Sequence, residues 1–235
     1  MTNLRDDNII LLPENKIINA RRSAYPFFKR LFDIVFSLAA IILLAIPMMI
    51  IGIVVRLETP GPAIFRQNRV GRNGRLFSIC KFRTMFCTAP RETATAELKN
   101  AESYITKVGA FLRKSSLDEL PQLFNVLRGD MSFIGPRPLI ASEEEIHLLR
   151  EASDVYSVRP GMTGWAQVNG RDCISIADKV AYDSEYAHDI SFFFDLKVLF
   201  RTVFVVASGD GYAEGCRTSA DDSDIDIGES NNNAA

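Results

Sequence analysis

The chain has 235 residues, with 27 Lys and Arg against 29 Asp and Glu, and is 47% hydrophobic. A net charge of -2 supplies no global field to recruit nucleic acid, so none is expected as a partner. Four cysteines (Cys80, Cys87, Cys173, Cys216) without a CxxC pair, and only His147 and His188, argue against a zinc centre and suit a reducing cytoplasm.

Residues 1–24 read as a flexible leader. Residues 34–55 are apolar, interrupted only by Ser37, Pro47 and Gly52. That stretch gives ~33 Å of helix, enough to cross a hydrocarbon core. Lys29 and Arg30 precede it and Arg56, Arg66, Arg69, Arg72 and Arg75 follow, so the usual excess of basic residues on one side is missing. Pro47 lacks an amide hydrogen and bends a helix. The pattern predicts a re-entrant membrane helix over residues 25–58, entering and leaving by the cytoplasmic face; a simple single-pass anchor is the competing reading.

Glu58-Thr59-Pro60-Gly61-Pro62 stops that helix. Residues 63–65 and 76–80 read as two short strands turned at Asn73-Gly74. Residues 91–113 are polar, then amphipathic, with Ile105, Val108, Phe111 and Leu112 on one helical face. Leu117, Leu120, Phe124 and Leu127 define a second helix, stopped at Gly129. Residues 131–135 are extended, and Ser142 with Glu145 predicts a capping box opening another helix. Residues 159–171 form a glycine-punctuated loop whose Trp165, Gln167 and Asn169 suit a nucleobase pocket. Residues 176–186 are helical, with Asp183 on their surface. Residues 192–208 are a helix too charged to span, either in the core or lying at a membrane surface. Residues 213–235 are a disordered acidic tail. The fold class is therefore α+β: a mostly helical cytoplasmic domain over residues 59–212, with a short β-hairpin, behind the membrane helix.

Chemistry concentrates at Arg113-Lys114-Ser115-Ser116-Leu117-Asp118-Glu119-Leu120. Ser116 and Glu119 could simply cap a helix, and acids near a helix start complement its dipole. Two adjacent carboxylates can also hold Mg²⁺ or divide metal-binding and nucleophilic roles between them. Arg113 lies nearby, Lys81 closes a strand, and Arg137 is pinned between Pro136 and Pro138. Carboxylate, metal and guanidinium together are what phosphoryl transfer needs, because cations must neutralise a phosphate before an anionic nucleophile can attack it. Asp195, inside Phe192-Phe193-Phe194-Asp195-Leu196, suits a polar face or a buried partner.

These segments resemble the bacterial sugar transferase family, the small monotopic polyprenyl-phosphate phosphoglycosyltransferases, across residues 28–208. The resemblance rests on several motifs in order: Lys29-Arg30-Leu31-Phe32-Asp33, Pro60-Gly61-Pro62-Ala63-Ile64-Phe65-Arg66-Gln67, Lys81-Phe82-Arg83-Thr84-Met85, Ser116-Leu117-Asp118-Glu119-Leu120-Pro121-Gln122-Leu123, Gly129-Asp130-Met131-Ser132, Gly135-Pro136-Arg137-Pro138, Arg159-Pro160-Gly161-Met162-Thr163-Gly164-Trp165-Ala166-Gln167-Val168-Asn169-Gly170-Arg171 and Asp195-Leu196-Lys197. It implies transfer of a sugar 1-phosphate from a UDP-sugar to undecaprenyl phosphate with release of UMP, which initiates synthesis of a surface polysaccharide or glycoconjugate. The family's acidic pair falls on Asp118, the implied nucleophile of an aspartyl-phosphosugar intermediate, and Glu119, which supports it and Mg²⁺. Its basic residues fall on Lys81, Arg113, Arg137 and Arg171, and a further acid on Asp195. Membrane lipid is an implied partner, with room for downstream glycosyltransferases, and the implied location is the cytoplasmic face of a bacterial inner membrane. One departure is Ile46, where family members often carry Ser before the helix-breaking proline. The residues leave one alternative, a non-catalytic adaptor that binds anionic lipid. A two-carboxylate glycosidase is excluded, because adjacent residues rarely straddle a sugar ring at the ~5–9 Å required.

Overall fold

The computed structural model describes residues 24–90, 101–170 and 173–208. The expected leader (apart from Ala24), the acidic tail and Arg171 lie outside these residues.

Helix α1 (Tyr25–Glu58) opens with Pro26 in its first turn, where a missing amide costs nothing, and runs through Pro47. By length and composition it can cross a membrane, and among the described residues it is alone in this. Its middle is exposed, with Ile42, Leu43 and Ile46 at least two-thirds accessible. Its two ends are not. At the first end, Arg30 donates to the carbonyls of Val126 and Leu127 (2.6 and 2.8 Å), in the last turn of the helix over Gln122–Arg128, where carbonyls lack the usual intrahelical donors. Asp33, buried, accepts from Ser132 Oγ and the Phe133 amide, both at 3.1 Å. At the other end Val55 is buried in a core cluster with Phe82 and Leu112. Buried Arg83 there caps the helix, donating to the carbonyls of Val55, Thr59 and Pro60.

The hairpin forms as expected but is longer: β1 (Ile64–Val70) pairs antiparallel with β2 (Leu76–Phe82), closed by a short 3₁₀ turn at Arg72–Gly74. Asn73 at φ 56° and Gly74 at φ 70° supply the left-handed backbone the turn demands. Buried Asn125, on helix α4 (Gln122–Arg128), continues the sheet in place of a third strand. Its Nδ2 donates to Ser78 O (2.8 Å) and its Oδ1 accepts from Cys80 N (3.0 Å).

The amphipathic helix predicted before Arg113 is divided. A short α2 (Ala101–Tyr104) ends where Ile105 bridges to Met85, and Thr106 then caps α3 (Lys107–Lys114) through the Gly109 amide. Leu112 is buried as expected, but Phe111 is 64% exposed. The second predicted helix is also broken, into a 3₁₀ turn (Leu117–Glu119) and α4, because Pro121 cannot donate within a continuous helix and instead starts a new one.

Strand β3 (Ser132–Ile134) pairs parallel with β4 (Gly161–Thr163), so the stretch expected to be a glycine loop holds a strand and a short helix, α6 (Trp165–Val168). The glycines serve close packing: a Cβ on Gly135 would lie 2.3 Å from Arg159 O, and one on Gly164 2.2 Å from Gly135 O. Helix α5 (Glu144–Ala152) lacks the Ser142–Glu145 capping box. Its flanking Glu143 instead reaches back to the Ile140 amide (3.0 Å). Helix α7 (Ile176–His188) is capped by Ser175, and α8 (Phe192–Ser208) closes the described chain. Asp183, expected at a surface, is buried against Arg150 of α5 at 2.5 Å. On α8, Val198 is fully buried beside Trp165 and Tyr186, while Phe193, Phe200 and Phe204 are at least two-thirds exposed on the other face. The two readings of that helix, core and surface, thus each hold for one side of it.

Candidate active site

The Asp118–Glu119 pair sits on the 3₁₀ turn that follows α3. Ser116 adopts a left-handed φ of 55° and makes no capping bond through its side chain, so the Ser116–Glu119 capping box is absent. The reversal it produces, rather than a cap, turns Asp118 inward to 9% exposure.

Four cations from separate elements gather around the pair. Lys81, at the end of β2, donates to Glu119 Oε1 at 2.7 Å. Arg137 Nη1 lies 4.0 Å from the same oxygen. Arg113 is placed by the fit of α3 against the segment that follows β2: Gly109 is so close to Thr84 that a Cβ would lie 2.1 Å from its carbonyl oxygen. One turn on, Arg113 Nε donates to Thr84 Oγ1 at 2.9 Å. Arg69, on β1, completes the group. Its Nη2 donates to Gln67 Oε1 (2.6 Å) and its Nη1 to Pro138 O (3.4 Å). Burial, then the neighbouring Arg137, pushes Arg69 down to about 10, so it stays cationic at neutral pH.

Sequence reasoning missed Gln67 and Arg69 as site residues. The signal available was the alternation of β1, where Arg66 and Asn68 are exposed and Gln67 and Arg69 turn inward, on the face that carries Lys81 opposite Phe65. Cations therefore outnumber carboxylates here, the balance needed to receive a dianionic group. Burial raises the Asp118 carboxyl above the ordinary range. Lys81 opposes that shift, Glu119 adds to it, and Arg113 again opposes it.

Not every expected site residue joins this group. Asp195 accepts from Tyr25 (2.5 Å), Lys29 (2.5 Å) and Tyr186 (2.7 Å), tying α8 and α7 to the start of α1. Trp165 does not line a nucleobase pocket. It is 5% exposed, donates to Glu185 (2.7 Å), and has Lys197 4.2 Å from its ring centre. Gln167 is likewise buried. A flat ring already covered on its face and packed at its edge has no room to stack a base.

The family model for bacterial sugar transferases matches residues 24–209. The chain belongs to the bacterial sugar transferase family. Like it, the Bacillus subtilis protein named as the uncharacterized sugar transferase EpsL is of this kind, 43% identical over 196 residues, which cover 82% of this chain and 94% of that one. The UDP-glucose:undecaprenyl-phosphate glucose-1-phosphate transferase of Escherichia coli is 42% identical over 183 residues, 75% of this chain. The undecaprenyl-phosphate galactose phosphotransferase of Salmonella typhimurium is 43% identical over 208 residues, 82% of this chain. The match spans only 39% and 43% of those two sugar transferases, so it reaches about two fifths of their length.

Proposed function

We propose that the protein transfers a sugar 1-phosphate from a UDP-sugar to undecaprenyl phosphate, releasing UMP, at the start of surface polysaccharide or glycoconjugate synthesis. The observation that carries this reading is a buried, upward-shifted Asp118 among Lys81, Arg69, Arg113 and Arg137. The names of the Escherichia coli and Salmonella relatives support the choice of donor and acceptor.

An oxygen of the Asp118 carboxylate attacks the phosphorus that bears the sugar. The bond from that phosphorus to the bridging oxygen breaks, and UMP leaves with the electron pair. A phosphate oxygen of undecaprenyl phosphate then attacks the same phosphorus, and the bond to Asp118 breaks to restore the carboxylate. Arg69, Arg113 and Arg137 offset the charge that would otherwise repel the attacking anion. Lys81 holds Glu119 beside the nucleophile.

The pair also fits Mg²⁺. Among the described residues no third acidic, His or Cys ligand joins it, and Mg²⁺ commonly takes one or two carboxylates, waters and substrate phosphate oxygens. Asp118 and Glu119 would hold the ion, which supplies further charge neutralisation at the diphosphate. Purified protein given a UDP-sugar and undecaprenyl phosphate should release UMP. EDTA should lower the rate at least about 100-fold and added Mg²⁺ restore it. A rate untouched by chelation would remove the metal, and no UMP from any UDP-sugar in a panel would remove the reaction.

The same reading makes α1 re-entrant, with the domain at the cytoplasmic face of the inner membrane. Arg30, Lys29 and Asp33 near one end and Val55, Glu58 and Thr59 near the other all contact one domain. A straight span would put ~30 Å of hydrocarbon between those two sets of polar contacts. In protein lacking its native cysteines, Asn3→Cys and Leu57→Cys should both react with an impermeant maleimide in inverted vesicles and neither in intact spheroplasts. Labelling of the two from opposite sides would replace re-entry with a simple span.

A further inference from the structure

Arg137 stands on a segment with no regular secondary structure, yet the carbonyls of that segment are all held. Pro136 O accepts from Gly161 N (2.9 Å) and Leu139 O from Val70 N (2.9 Å). Pro138 O accepts from Arg69 (3.4 Å) and Ile140 O from His147 Nε2 (2.7 Å). A carbonyl oxygen only accepts, so Nε2 of His147 carries its proton. The carbonyl of Arg137 itself accepts from Arg150 Nη1 at 2.8 Å. Five consecutive carbonyls are thus fixed by donors from three elements, β1, α5 and β4, while the Arg137 side chain stays 45% exposed.

Arg150 is the unusual member. It is 3% exposed, its Nη2 is 2.5 Å from Asp183 Oδ2, and its Nε is buried without a partner. A buried ion pair is weak support for stability, because apolar residues of similar volume often serve as well. What an apolar pair cannot do is present a planar donor to the Arg137 carbonyl. We infer that Arg150, charge-balanced by Asp183, is a positioning residue that sets Arg137 against Glu119 and the incoming diphosphate. It touches no substrate and acts only through the backbone of Arg137. The inference rests on the reaction proposed above, in which Arg137 neutralises the phosphate.

The test is a cycle between Arg137→Ala and an apolar replacement, Arg150→Met with Asp183→Leu, that leaves no unpaired charge behind. With Arg137 present, the apolar replacement should lower kcat/KM for the UDP-sugar by about 10- to 100-fold, the scale of a misplacement near 1 Å. In the Arg137→Ala background it should cost less than about threefold. Equal losses in both backgrounds, or no loss in the first, would overturn the inference. If the apolar replacement does not fold, Arg150→Lys keeps the charge balance without the two-pronged donor. It should show the same loss confined to the Arg137 background. Hydrogen exchange decides independently of turnover: the peptide over residues 134–141 should exchange at least about tenfold faster in the replacement, with α3 and α4 unchanged. Exchange at the wild-type rate overturns the positioning role, whereas wild-type protein without UMP release overturns only the reaction.

Discussion

Asp118→Asn is expected to abolish UMP release and to leave the protein at least as stable as before. The activity loss follows from the proposed mechanism, in which the Asp118 carboxylate attacks; an amide oxygen is a far poorer nucleophile. The stability change follows from the raised Asp118 carboxyl, whose main cause is burial. A group whose folded pKa lies above its unfolded value binds its proton more tightly when folded. Its favourable contribution is complete below the ordinary carboxyl pKa of about 4 and disappears as pH rises through the folded value. At pH 7 the ionised carboxylate therefore costs folding energy that a neutral amide does not. A gain of about 1 kcal/mol would raise the thermal midpoint by roughly 2–4 °C in a chain of this size. In wild-type protein, turnover should fall about tenfold per pH unit below the raised value, as the nucleophile is protonated. Full turnover by Asp118→Asn would exclude the covalent route. A large loss of stability would show that the fold, not the chemistry, requires the charge.

Arg83→Met should have the opposite profile, a large loss of stability from a residue that makes no contact with the acidic pair. Arg83 lies in the same short motif as Lys81, yet its guanidinium goes to the end of α1 and not to Glu119. There it donates to Val55 O (3.1 Å), Thr59 O (2.7 Å), Thr59 Oγ1 (2.9 Å), Pro60 O (2.8 Å) and Cys87 Sγ (3.1 Å). Methionine fills the volume but donates nothing, stranding the Val55 carbonyl in the last turn of α1 and those of Thr59 and Pro60 just past its end. A buried acceptor that loses its partner costs about 1–3 kcal/mol, so a total on the order of 3 kcal/mol or more is expected. The thermal midpoint in nanodiscs should fall by roughly 6–12 °C. A midpoint within about 1–2 °C of wild type, the effect of an ordinary surface change, would mean that water replaces the guanidinium.

The contrast between Lys81 and Arg83 shows where the sequence was readable. The apolar run, the hairpin turn and the last helix were legible because each depends on local pattern: an uninterrupted run, an Asn-Gly pair, a dense apolar segment. The acidic pair and three of its cations, Lys81, Arg113 and Arg137, were legible through their motifs. Long-range partners were not. Asp183 occupies an ordinary helical position, and nothing within a few residues of it announces Arg150, 33 residues away. Trp165 looked like a platform for a base because a glycine-rich stretch suggests a loop. Those glycines instead allow backbones to press together, and Trp165 falls inside. Some misses had a visible cause: Pro121 stands in the middle of the Leu117–Leu127 periodicity and could have been read as the break it is.

The fastening of α1 at both ends also bears on how the protein can be handled. Deleting residues 24–58 to obtain a soluble fragment would take away Tyr25 and Lys29 from Asp195, Asp33 from Ser132, and the Val55 carbonyl from Arg83. The two ends of the helix are thus built into the domain and do not act as a tether. In the reaction proposed above, that leaves no slack between the two: the height of Asp118 above the bilayer would be set by rigid geometry, and the lipid acceptor would have to come to that height by itself.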